Sequence, residues 1–150
     1  MKTSKITATL CAAALAMSMG AGAAFAAGSY TADTMPNHVA KGDVVNISNG
    51  AKYVAVGKDK VNYNTPKSKT ITTAIIRTKA NGITVVGINA KAFKGCNALK
   101  TVKVKTSKVA AKDVKKAVKG TKVKTIKVKK SMVSAYKKAF KGTGISIKAL

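Results

Sequence analysis

The stretch Lys91-Ala92-Phe93-Lys94-Gly95 returns as Lys116-Ala117-Val118-Lys119-Gly120 and again as Lys138-Ala139-Phe140-Lys141-Gly142. The copies begin 25 and 22 residues apart. Each is followed by a short alternating segment: Leu99-Lys100-Thr101-Val102-Lys103-Val104, then Val123-Lys124-Thr125-Ile126-Lys127-Val128, then Ile145-Ser146-Ile147. Alternation sends Val102 and Val104 to one face of a strand and Lys103 and Lys105 to the other. One such strand buries too little to stand alone. Stacked copies share a core and pair edge to edge into a parallel sheet. The core positions are then Val102, Val104, Ile126, Val128, Phe93 and Phe140.

The words between the strands carry helical spacing. Val114, Ala117 and Val118 sit at i, i+3 and i+4, and Met132 or Val133, Tyr136 and Phe140 do the same, with Ser131 placed to cap. Gly120 and Gly142 suit a left-handed stop at the helix ends.

Val85-Val86-Gly87-Ile88, Ala92-Phe93, Cys96 and Leu99, then Val102 and Val104, make one complete unit over residues 83–104. This unit resembles the BspA-type leucine-rich repeat of bacterial surface proteins. Units at 105–128 and 129–150 depart from it: Thr121 and Thr143 stand where the cysteine would be, and Val118 replaces Phe. The resemblance implies a curved strand-and-turn solenoid used for binding, adhesion in some relatives, and no catalytic residues. The expected fold is therefore an α/β repeat: a short leucine-rich-repeat-like solenoid over 83–150, with parallel strands and short helices, behind a small β-rich N-terminal cap over 44–82.

Within that cap, Val44–Ile47, Lys52–Val56, Val61–Tyr63 and Ile71–Ile76 alternate like strands, and Asn81-Gly82 is a hairpin-type turn. Residues 27–43, rich in Ala, Gly, Thr and Asn, read as a flexible leader. His38 lies there and reads as a solvated loop histidine.

Residues 1–26 carry the pattern of a secretory signal: Lys2 and Lys5, an uncharged apolar run from Ile6 to Phe25, and small residues in Ala24-Phe25-Ala26. Cleavage near Ala26 is expected, with a secreted or cell-surface product and no transmembrane segment in the mature chain. Removal of Cys11 leaves Cys96 without an internal disulfide partner, and its setting favours a buried thiol.

Composition narrows function. Of 150 residues, Lys and Arg number 29 against 4 acids, a formal charge of +25. Arg77 is the only arginine, and the acids are Asp33, Asp43, Asp59 and Asp113. Acid–base and metal chemistry need carboxylates or histidines placed beside a nucleophile or a metal. The sequence therefore reads as non-enzymatic, with no catalytic, cofactor-binding or metal residues. A hydrophobic fraction of 46% leaves enough for a core.

From Lys100 to Leu150 there are seventeen lysines and one acid, Asp113. Stacked strands set Lys103 beside Lys127, and Lys105 beside Lys129. These four are the candidate face for anionic partners: teichoic acid, glycosaminoglycan, or a host or bacterial surface protein. Sparse aromatics argue against base stacking and sequence-specific nucleic-acid recognition. The plainer reading is that these lysines keep a short repeat soluble and block edge pairing. The alternative function is a cationic membrane-active or nucleic-acid-binding secreted factor, and a third reading is an enzyme with Cys96 as nucleophile.

Overall fold

The structure, a computed structural model, describes residues 28–31, 33–34 and 38–150. The secretory signal expected over 1–26 lies outside the described residues.

Strand β1 (Ser29–Tyr30) pairs in parallel with β2 (Val44–Asn46), which pairs antiparallel with β3 (Lys52–Gly57), and β3 with β4 (Lys60–Thr65). The hairpin β6 (Lys79–Ala80) and β7 (Ile83–Ile88) joins this sheet, because β7 pairs in parallel with β4. Asn81 and Gly82 turn that hairpin with φ of 45° and 85°, as a tight primed turn requires. Strand β5 (Thr73–Ile76) belongs elsewhere. It pairs in parallel with β8 (Thr101–Val104), followed by β9 (Thr125–Val128) and β10 (Ser146–Ala149). Helices α1 (Ala111–Val118) and α2 (Val133–Ala139) are short.

The expected α/β repeat, a leucine-rich-repeat-like solenoid with parallel strands and short helices behind a β-rich N-terminal cap, is therefore not the fold. The chain is a strand-rich mixed α/β structure, with ten strands in a six-stranded and a four-stranded sheet and two short helices among the described residues. The physical reason lies in β7. It opens the unit that looked like a complete repeat, yet its edges are taken by β4 and β6 in the first sheet. The parallel stack recruits β5, from outside the repeats, in its place.

Within 27–43, where composition alone gives a flexible leader, β1 is paired and Val39 and Asp43 are buried. The Asp43 carboxylate accepts the backbone N–H groups of Gly28 and Ala40, each at 2.8 Å, and so pins both ends of this segment. Such charge-assisted bonds offset the cost of burying a carboxylate.

One apolar core runs under both sheets. Tyr53 meets Tyr63 edge to face at 5.2 Å, and Tyr63 meets Phe93 at 5.5 Å. The buried Thr106 hydroxyl donates to Val85 O, tying the exit of β8 to β7. Tyr136 is fully buried, and its hydroxyl donates to Val109 O at 3.0 Å. Val114, Ala117 and Val118 form the buried stripe of α1, as their spacing requires. Ser131 caps nothing: it lies in a single 3-10 turn, Lys130–Met132, and α2 starts without a side-chain cap.

The recurring five-residue word makes the same turn three times. Gly95, Gly120 and Gly142 have φ of 80°, 76° and 77°. The following N–H groups of Cys96, Thr121 and Thr143 donate to Phe93 O, Val118 O and Phe140 O at 3.0, 3.1 and 3.1 Å.

Candidate anion-binding face

The four strands of the second sheet are short and fully in register. Thr73, Thr101, Thr125 and Ser146 form one column across the sheet. Two residues further along each strand, Ile75, Lys103, Lys127 and Lys148 form a second. Between them runs the buried column Ala74, Val102, Ile126 and Ile147, whose side chains point the other way into the core. Parallel sheets are commonly covered on both faces. Here the column of Thr and Lys side chains is half-buried to exposed, so this face is open.

Neighbouring rungs lie about 4.8 Å apart. Lys103, Lys127 and Lys148 therefore make a row of ammonium groups with no carboxylate on the same strands. Asp113, the one acid of this half, sits in the first turn of α1. Lys105 and Lys129 are exposed one position beyond β8 and β9. Lys100 and Lys124, also exposed, enter the same strands. Of the four lysines singled out in the sequence, Lys103 and Lys127 are register partners on adjacent strands, and Lys105 and Lys129 lie just past the strand ends.

Sequence reasoning missed Lys148. The third alternating segment runs on past Ile147, and Ser146-Ile147-Lys148 repeats the pattern of Thr101-Val102-Lys103 and Thr125-Ile126-Lys127. That word was the available signal. It also missed the hydroxyl column, because Thr73 precedes the repeats.

A second cationic feature lies beside α1. A groove of about 620 Å³ is walled by Lys112, Lys115 and Lys116 of α1 and by Lys119 just after it, together with Phe140 and Ile145. The Lys115 ammonium donates to Ala139 O at 2.8 Å, across to α2. No carboxylate, imidazole or thiol lines this groove, so it offers charge and apolar contact without an acid–base pair.

The remaining reactive groups stand apart from both features. Cys96 is buried, and burial pushes its thiol above the ordinary value, against a smaller opposing effect of Lys69. A reactive cysteine needs the reverse: a stabilised, accessible thiolate. His38 is exposed, and its Nδ1 lies 3.1 Å from Asp59 Oδ2. No group of three His, Cys, Asp or Glu among the described residues is arranged to hold a metal ion. Among the same residues, no helix is long and apolar enough to cross a membrane.

Comparison with protein-family models, with curated proteins and with solved structures finds no match to this chain.

Proposed function

We propose that this chain is an exported, non-catalytic binding module whose open lysine face holds anionic partners at a cell surface. One observation carries the reading: Lys103, Lys127 and Lys148 stand in register on three adjacent strands of an uncovered parallel sheet. Like charges one rung apart repel, and nothing in the sheet compensates them. Point-charge lysines suit loose contact with phosphate, sulfate or carboxylate groups, without the bidentate grip of arginine. The likeness of residues 83–104 to the BspA-type repeat supports export and surface binding. The coil geometry that came with it forms no part of the proposal.

The membrane-active alternative has less support. Helices of eight and seven residues bury Val114, Ala117, Val118 and Tyr136 in the core, which leaves them no wide apolar face to insert. Nucleophilic catalysis by Cys96 lacks a thiolate-stabilising environment.

Retention of the protein on anionic cell surfaces, followed across a salt series, tests the reading. Release as ionic strength rises is expected. Retention unchanged by salt contradicts it.

A further inference from the structure

The hydroxyl column deepens this reading, and the following rests on it. Four threonine hydroxyls in this half of the chain are used internally. Thr78 donates to Lys105 O, Thr106 to Val85 O, Thr121 to Val118 O and Thr143 to Phe140 O. The hydroxyls of Thr73, Thr101, Thr125 and Ser146 have no hydrogen-bond partner among the described residues, and they stand in one register row, exposed at Thr73 and Ser146 and half-buried at Thr101 and Thr125. Each keeps a donor and acceptor capacity for a ligand.

The two rows run side by side. Two residues along a strand separate them by about 7 Å, and each repeats about every 4.8 Å across the strands. The hydroxyl row has four members. The ammonium row has three and is closed at β5 by Ile75. Both rows run perpendicular to the strands, so a ligand that uses both must lie across the strands and present anions along one side and hydroxyls along the other. The carboxylates of a folded protein surface are not arranged in line at one repeat. A linear polymer of hydroxylated units, each carrying an anion, is.

We infer that Thr73, Thr101, Thr125 and Ser146 form a second rail beside Lys103, Lys127 and Lys148, and that the two rails together bind a linear hydroxylated polyanion lying across the strands. Sulfated glycans and phosphodiester-linked polyols share this chemistry. Ammonium groups hold the sulfate or phosphate, and the hydroxyl rail exchanges hydrogen bonds with ring or polyol hydroxyls.

Calorimetric titration with heparin, with a polyglycerol phosphate and with polyglutamate of matched charge provides the test. It uses the parent chain, a Thr101→Val/Thr125→Val variant and a Lys103→Gln/Lys127→Gln/Lys148→Gln variant at one ionic strength. The valine variant should lose about fivefold or more in affinity for at least one hydroxylated polymer, as expected for two lost hydrogen bonds, and nothing for polyglutamate. Which polymer is affected identifies the sulfated or the phosphodiester source. Unchanged affinity for both hydroxylated polymers overturns the second rail. If the glutamine variant still loses binding in that case, the cationic face stands. If it binds as the parent does, the face falls too. Should the valine pair unfold, Thr101→Ser/Thr125→Ser against Thr101→Ala/Thr125→Ala replaces it. Serine must keep binding that alanine loses, and equal binding by the two overturns the proposal.

Discussion

Lys103 of β8 and Lys127 of β9 are direct register partners on neighbouring parallel strands, and Lys148 of β10 is the next partner of Lys127. Directly opposed like charges weaken a sheet, whereas opposite charges strengthen it. Lys127→Glu places a carboxylate between two ammonium groups and should raise stability by about 0.5–1 kcal/mol at low salt. The same change should weaken binding to polyanions. Urea unfolding and a binding titration on one preparation check both. A variant that is less stable, or one that binds as well as the parent, contradicts the account.

Gly120 has φ of +76°, and a Cβ built there meets nothing within 4 Å. The cost of Gly120→Ala is therefore one of backbone conformation, about 1 kcal/mol. Gly57 also has open space but no positive φ, so Gly57→Ala should be neutral or slightly stabilising. Denaturant midpoints that fall equally for the two variants would remove the left-handed turn from the explanation.

Tyr136 is held neutral in the fold, its phenol pushed well above the ordinary value by burial first and by Asp113 second. A raised folded value means that its contribution is fully present below the unfolded value, near 10, and is lost as pH rises through the folded one. Tyr136→Phe removes the bond to Val109 O and should cost about 1 kcal/mol at pH 7. The variant should also lose less stability than the parent between pH 10 and 12 in urea unfolding. A parallel loss in both proteins would show that Tyr136 does not ionise on unfolding.

Cys96 occupies the turn position held by Thr121 and Thr143 in the other two copies. Those hydroxyls donate to the carbonyl three residues earlier at 2.7 Å. Cys96→Thr gains the same acceptor, Phe93 O, and should stay within about 1 kcal/mol of the parent. In the native protein Cys96 should remain unmodified by thiol reagents at pH 8 and react once denatured, read by mass mapping. Rapid native modification would revive a catalytic or redox role.

The rungs of the second sheet were legible because period-two alternation survives intact in Thr101-Val102-Lys103-Val104 and Thr125-Ile126-Lys127-Val128. The glycine turns were legible because a five-residue word recurs. The division into two sheets was not. Alternation marks Ile83–Ile88 as a strand, but its partners β4 and β6 are chosen by packing against distant residues such as Tyr63. The same holds for β5, which pairs with a strand 28 positions further on. The anchoring of β1 was hidden because one buried aspartate, Asp43, does what composition assigns to no residue. Lys148 was missed because Ala149 supplies too little apolar contrast to prolong the third alternation.

The lysine row is, on this proposal, a binding surface rather than a solvated one. The most direct measurement is the dependence of heparin affinity on salt, for the parent chain and for Lys103→Gln/Lys127→Gln/Lys148→Gln. For the parent, log affinity should fall linearly with log salt. The variant should show a shallower slope and an affinity about tenfold or more weaker at low salt. Equal slopes and equal affinities for the two proteins would contradict it.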